Sequence, residues 1–471
     1  MSKLIRNTGI YTIGRVLPQI TGFILLPVYT EYLPPAEYGI VESMLVLGAV
    51  LSIFFSMATE RSIFRLYYDF TSEEEKKIFV GNISVLMLMF STLILVLIFF
   101  SRDFIAQIYS SIEFMPYYIY AIANAYFMAF AFIPQTLFQV EEKAINFFAI
   151  TMGAFFIGLG FILYYVVFLE QGAEGLLKGK MIGNFIMLPI YIYIIVKKSS
   201  FQIKKSVIKN ILLFSLPMVP TLLTAWILNM SNRIFIEHYF TLEEVGIFSL
   251  AFKISGVTTI LFGALYTAYN PLFYRLANHK DKVYAKDRIK GLNQAIIIFA
   301  LIICFVISFF SKELINIFLD EKYVSAAGVI PLIVFSLLIL QISGLYNLMI
   351  YQSKKSTTIM SISIVAAFAS IVFNFLLIPK FGMYGAAWSS ITSAIMIFIL
   401  SHIYAKKNYY IKLPLKKVLV WITIASSIVF LDIYINLTNF YLLFAVKIIL
   451  TALGFYFFYK REFKTLKLLI K

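Results

Sequence analysis

The chain has 471 residues, of which 61% are hydrophobic and 14% charged, with a mean hydropathy of +0.88, a composition outside the range of water-soluble domains. A formal net charge of +16 does not point to nucleic acid, because the basic residues fall in short clusters between long apolar runs and not on one solvated face. The single cysteine, Cys304, sits inside an apolar run, which excludes an internal disulfide and a cysteine-based metal site.

A helix crossing roughly 30 Å of hydrocarbon needs about 20 apolar residues. That length predicts fourteen spans, at 8–33, 38–60, 78–100, 116–138, 144–168, 174–196, 207–236, 244–274, 291–311, 325–351, 356–378, 382–405, 416–435 and 439–459. The runs are continuously apolar, so helices are expected rather than the alternating strands of a barrel. Lys3 and Arg6 before the first run resemble a signal peptide, but the run continues past Arg15 without a small-x-small cleavage site, so it is read as a retained first span.

An ionisable residue inside a span costs at least about 2.5–3.5 kcal/mol and usually faces a cavity or a partner. The first span carries Thr8, Thr12, Arg15, Gln19 and Gly22 on one helical stripe, with kinks expected at Pro18 and Pro27. Glu60, Arg61 and Arg65 close the second span and read as a solvated charge cluster. Lys178 and Lys180 stand at the mouth of the sixth span, as outer-exit cations or interface anchors. The seventh span presents Trp226, Asn229, Arg233 and Glu237, where an Arg233–Glu237 pair one turn apart is equally consistent. The eighth has Lys253 midway, with Gly256 and Gly263 near its face, and Tyr266 and Tyr269 as candidates to stack on sugar rings. Lys447, in the fourteenth, reads as structural.

The candidate substrate-binding cations are therefore Arg15, Lys253, Arg233, Lys178 and Lys180. The polar or coupling candidates are Gln19, Asn229, Glu42, Glu237, Tyr266 and Tyr269. For Arg15 and Lys253 a structural ion pair with Glu42 or Glu237 stays open. No catalytic residue or metal site is expected: His238, His279 and His402 are far apart in sequence, and no His-Glu-x-x-His helix, phosphate loop or Gly-x-Ser-x-Gly elbow occurs.

Alternate connections differ in charge. The set holding the N-terminus, the links 61–77, 139–143, 197–209, 275–290, 352–355 and 406–417, and the C-terminal tail contains 30 of the 40 Lys and Arg residues, which predicts that both termini are cytoplasmic. A shift of 207 residues aligns Tyr32–Ile40 with Tyr239–Ile247, and a shift of 210 aligns Gly172-x2-Gly175 with Gly382-x2-Gly385. Such spacing predicts duplication of a six-helix unit in parallel orientation: lobes at 1–200 and 201–410, and two added helices with a basic tail at 411–471.

The segment Asn374–Trp388, with Ile378-Pro379, Gly382, Gly385 and Ala386-Ala387, resembles the Asn-x3-Ile-Pro-x2-Gly-x2-Gly-Ala-Ala stretch of bacterial polysaccharide flippases (Wzx-type), members of the multidrug/oligosaccharidyl-lipid/polysaccharide exporter superfamily. Leu33–Gly39 and Gly246–Ile254 are similar to that family's other recurring elements. The resemblance implies two lobes around a cationic central cavity, alternating access, and an undecaprenyl-pyrophosphate-linked oligosaccharide, an O-antigen or capsular repeat unit, as substrate in the bacterial inner membrane. It implies no cofactor beyond an H⁺ or Na⁺ gradient, and partners among membrane lipids, polysaccharide polymerases and chain-length proteins, with no nucleic acid. Lys178 and Lys180 depart from the family's pattern. A lipid II flippase, a cation-coupled multidrug exporter and a membrane-embedded polymerase are the alternative readings; the exporter would need carboxylates deep in its cavity, where this chain has basic residues.

Overall fold

The computed structural model describes residues 2–415, 418–420, 423, 447 and 448, without the side chains of residues 2–5, Thr8, Arg15 and Ser356. The expected thirteenth and fourteenth spans therefore lie almost wholly outside the described residues. Among those described, the regular structure is helical throughout. In chain order the helices are α1 (Ser2–Ile24), α2 (Leu26–Tyr32), α3 (Pro35–Ser56), α4 (Arg61–Leu66), α5 (Glu73–Phe100), α6 (Arg102–Ala106), α7 (Ile119–Val140), α8 (Ala144–Leu163), α9 (Gly172–Lys198), α10 (Lys205–Ser215), α11 (Met218–Met230), α12 (Asn232–Tyr239), α13 (Leu242–Ala277), α14 (Lys282–Phe309), α15 (Ser311–Phe318), α16 (Ala326–Gln352) and α17 (Ser356–Lys407).

Ten helices among the described residues are long and apolar enough to cross a membrane, or eleven when the pair α1–α2, bent by 40°, counts as one. Pro27 just inside α2 removes a backbone donor where the bend falls. At 1.5 Å per residue the 52 residues of α17 would run about 78 Å, far beyond a bilayer. Gly382 breaks it, with φ 54° and ψ −132°, and the two halves fall on the expected spans 356–378 and 382–405. Gly172, at the start of α9, has φ 53°. The two glycines that the 210-residue shift aligns thus share the left-handed backbone that glycine adopts without steric cost.

The chain divides into two compact units, Met1–Gly246 and Ile247–Lys471. The sequence-based division at 200/201 differs because α10 packs on α4 and α5, and α11 and α12 pack on α3, which draws residues 201–246 into the first unit. There α3 is the central element, against α5, α7, α9 and α11, while α1 lies along α8. Ile63, Phe79, Ile83, Met87, Ile133 and Ile211 close a buried cluster between α4, α5, α7 and α10. In the second unit α16 packs on α14 and α17. Helix ends are fixed by side chains: Ser72 and Glu75 form a reciprocal capping box on α5, and Asp281 accepts from the backbone of Val283 and Tyr284 on α14.

Candidate functional site

The second span ends sooner than its hydropathy suggests. Its helix stops at Ser56, and Met57 and Ala58, neither of them glycine, take left-handed backbone with φ 44° and 56°, which costs about 1 kcal/mol or more for each. Local hydrogen bonds hold this turn: Ala58 N donates to Ser56 Oγ (3.2 Å), Thr59 Oγ1 to Ser56 O (2.8 Å) and Ser62 Oγ to Thr59 O (2.6 Å). The chain then enters α4, and a cavity opens between this turn and α7, with Glu60 mostly covered and Arg61 at its exposed edge.

That cavity has a volume of 740 Å³. Ser52 and Ser56 of α3, Glu60 and Arg61 of the turn and α4, and Gln135, Thr136 and Gln139 of α7 line it, with Phe64, Phe132 and Leu222 among its apolar walls. The Glu60 side chain is 12% exposed and that of Arg61 45%, with Arg61 Nε 3.8 Å from Glu60 Oε1. Glu60 Oε2 is buried and has no hydrogen-bond partner among the described residues. Beyond the end of the spanning helix, burial pushes the Glu60 carboxyl above the ordinary carboxylate range, against the opposing pull of its own backbone N–H, Arg61 and Ser56. The wall thus offers amides, hydroxyls, a carboxylate and a guanidinium beside two aromatic rings. That donor and acceptor set suits a polyol or sugar ring better than a hydrocarbon or a bare cation.

Alongside it lies a charged cluster at the end of α7. Glu141 accepts from Lys198 Nζ (2.8 Å), Lys143 and the Tyr67 hydroxyl (3.2 Å), and Tyr68 donates to Val140 O (2.8 Å).

The structure sorts the residues expected from sequence. In α1, Tyr11 donates to Phe138 O (3.2 Å), and Gly14 packs on Phe147 of α8. Thr12 and Gln19, on the predicted stripe, are exposed, and a Cβ on Gly22 would meet nothing within 4 Å; the side chain of Arg15 lies outside the described residues. Lys253 is half-buried, and below it Gly256, Gly263 and the exposed Thr267 continue an open stripe down α13. Asn229 is exposed, with its amide turned back to Ala225 O (2.7 Å), while Trp226 is fastened to Val46 O (3.1 Å).

Other candidates are held within the protein. The helix breaks at Ser231, and Arg233, 4% exposed, is buried beside Glu42 and Tyr38 and donates to Asn229 O (2.7 Å). Glu42 is hydrogen-bonded to Tyr38. Glu237, 2% exposed, accepts from the backbone N–H of Ser111 (2.8 Å) and not from Arg233 one turn away. Tyr266 donates to Gln341 O and Tyr269 to Asn293 Oδ1, each at 2.5 Å, so both hydroxyls are engaged by neighbouring helices. Lys178 lies 4.7 Å above the Tyr165 ring, and both it and Lys180 are half-buried.

Of the charges expected to be solvated at the end of the second span, Arg61 and Arg65 are exposed and Glu60 is not; Gln135, Thr136 and Gln139 were not among the expected site residues. A signal for the second group was present: Gln135, Thr136 and Gln139 cluster within about one helical turn at the end of a mostly apolar span. Nothing local announced the left-handed turn at Met57 and Ala58.

A family model described as polysaccharide biosynthesis protein matches residues 30–328. Lsg locus protein 1 of Haemophilus influenzae is 23% identical over 290 residues, covering 60% of this chain and 68% of that protein. An uncharacterized membrane protein of Methanocaldococcus jannaschii is 22% identical over 431 residues, covering 84% of this chain and 83% of that one. Among solved structures, the lipid II flippase MurJ in an inward-closed conformation superposes with a TM-score of 0.73 at 14% identity, over 97% of this chain and 99% of that one. A Vibrio cholerae MATE transporter superposes with a TM-score of 0.58 at 16% identity, over 86% and 96%. Fold, and nothing finer, follows from these two likenesses.

Proposed function

We propose, on the premise that this chain belongs to the polysaccharide biosynthesis protein family, that it is a flippase. It would carry an undecaprenyl-pyrophosphate-linked oligosaccharide, an O-antigen or capsular repeat unit, from the cytoplasmic to the outer leaflet of a bacterial inner membrane by alternating access. The observation that carries this reading is the 740 Å³ cavity beside α3, α4 and α7, whose wall carries hydroxyl, amide and charged groups in a chain of apolar helices. Each sugar hydroxyl costs several kcal/mol if it enters hydrocarbon unpaired, and a chamber of amides, hydroxyls and charges removes that cost while a polyprenyl tail stays in lipid. Arg15 and Lys253, the cations that the sequence sets deep within their spans, are the proposed partners of the pyrophosphate, whose oxygens call for cationic donors. No covalent bond is made or broken, and an H⁺ or Na⁺ gradient is the proposed source of work.

Lipid II, the cargo named for the flippase MurJ whose fold this chain resembles, is the second reading. The test is reconstitution of the full chain into liposomes that carry a lipid-linked oligosaccharide in the inner leaflet, with a lectin reporting headgroups that reach the outside. A rise above protein-free liposomes is expected. Translocation of lipid II alone would change the cargo. Movement of neither lipid, with extrusion of ethidium under a cation gradient, would overturn the flippase in favour of a drug exporter.

A further inference from the structure

Among the described residues one carboxylate, Glu60, lines the cavity, and three features of its setting point the same way. Two left-handed non-glycine residues are kept in the turn that presents Glu60, a strain that persists only where surrounding structure or function requires the conformation. Its Oε2 is buried without a hydrogen-bond partner among the described residues, and a buried acceptor left unmade is costly until some donor reaches it. The remaining polar wall, Ser52, Ser56, Gln135, Thr136 and Gln139, consists of neutral groups that both donate and accept. Arg61 is the other charge, but at 45% exposure against 12% for Glu60 it is the better screened by water, so the carboxylate sets the sign of the interior.

We propose that Glu60 determines which sugar the cavity accepts: its carboxylate takes a hydrogen bond from a hydroxyl or amide N–H of a neutral ring and turns away a ring that carries a carboxylate of its own. This rests on the reading of the cavity as a headgroup chamber. An ionised carboxylate is an acceptor only. A hydroxymethyl or N-acetyl group supplies the donor it needs, whereas the acid of a uronic sugar brings a second acceptor and a like charge, a repulsive element of the kind that enforces specificity. The class of cargo is therefore a repeat unit whose ring at this subsite is a neutral hexose or N-acylhexosamine.

The experiment measures binding, so that it does not depend on transport. Trp226, with its ring N–H on Val46 O, lies one turn from Leu222 in the cavity wall and reports occupancy by fluorescence once Trp388 and Trp421 are replaced by Phe. Purified full-length protein is titrated with two short-chain prenyl pyrophosphate disaccharides that differ only at C6 of one sugar, hydroxymethyl against carboxylate. The unaltered cavity should prefer the neutral ligand by roughly tenfold, and Glu60→Gln, which keeps the shape and adds a donor, should bring the two affinities within about threefold. Gln135→Ala should weaken both ligands alike and leave the ratio in place. Equal binding of both ligands before mutation, or a ratio that Glu60→Gln leaves unchanged in protein with an unaltered unfolding temperature, would overturn the proposal. Selective binding without lectin-detected translocation would keep this inference and sink the flippase; translocation without dependence on Glu60 would do the reverse.

Discussion

Gly39 and Gly246 meet backbone to backbone: a Cβ on Gly39 would run into the carbonyl oxygen of Leu242, and one on Gly246 into that of Pro35. They are also the two glycines that the 207-residue shift aligns, so two positions matched by that shift touch one another. Between apolar helices in lipid the attraction comes from close packing at small residues and not from the hydrophobic effect. Either alanine variant therefore has to push backbone away from backbone. Gly39→Ala and Gly246→Ala should each lower the unfolding temperature of the purified protein, by an amount matching about 1–3 kcal/mol. Gly256→Ala, with open space around its Cβ site, should not. Size-exclusion profiles after graded heating check this, and an unchanged Gly39→Ala profile would contradict the contact.

Lys447 and Glu313 form an ion pair at 2.7 Å with each side chain 2% exposed, and Lys447 also donates to Phe309 O at 3.0 Å. Removing one partner leaves a buried charge alone, at a cost of about 3–5 kcal/mol. Lys447→Met or Glu313→Leu should sharply reduce the amount of folded protein, and the double variant should recover most of it. Detergent-extracted protein levels read the outcome; additive losses would reject the pairing.

Glu141 provides a pH dependence outside the spans. Burial raises its carboxyl, but the hydrogen bonds and charges of Lys143 and Lys198 outweigh that and hold it below the ordinary value of 4.5. A folded-state value below the unfolded one contributes stability that is present above the unfolded value and lost as pH falls through the folded one. The unfolding temperature should therefore decline as pH drops below about 4.5, and Glu141→Gln should start lower and decline less. Parallel curves for the two proteins would remove Glu141 as the cause.

The charge bias predicts that Phe70, Ile203, Tyr284 and Tyr410 face the cytoplasm and that Ala36, Leu242 and Phe381 face outward. Single cysteines at these sites in a Cys304→Ser background should react with an impermeant thiol reagent in intact cells only in the second group. Labelling at position 203 would reverse the orientation.

Arg15→Ala and Lys253→Ala should each abolish or strongly reduce surface polysaccharide in a flippase-null strain while membrane levels of the protein stay normal. Arg15→Lys should keep part of the activity, since it retains the charge and loses the bidentate fork. Export by both alanine variants at the level of the unaltered protein would exclude them as pyrophosphate ligands.

Hydropathy and spacing alone determined that this chain is a helical membrane protein, and placed most breaks between its spans. Those properties are local: an apolar run of about 20 residues has no cheaper state in a bilayer than a helix, since every backbone group must be satisfied within it. The turn motifs at Gly172 and Gly382 were legible for the same reason, because each answers to its own backbone angles. Periodicity also put Arg233 on a stripe with Trp226 and Asn229, but it could not say which face the neighbouring helices cover. The break at Ser231 and the packing of α12 on α3 bury Arg233 beside Glu42, a charge pairing between residues 191 positions apart in the chain. Glu60 went the opposite way. A charge at the end of a span reads as solvated in any sequence, and only the left-handed turn at Met57 and Ala58, together with α7 across from it, encloses that carboxylate in a cavity. Which charges are covered and which line a chamber is settled by contacts between distant segments, where the cost of burying a charge depends on partners that no local pattern records.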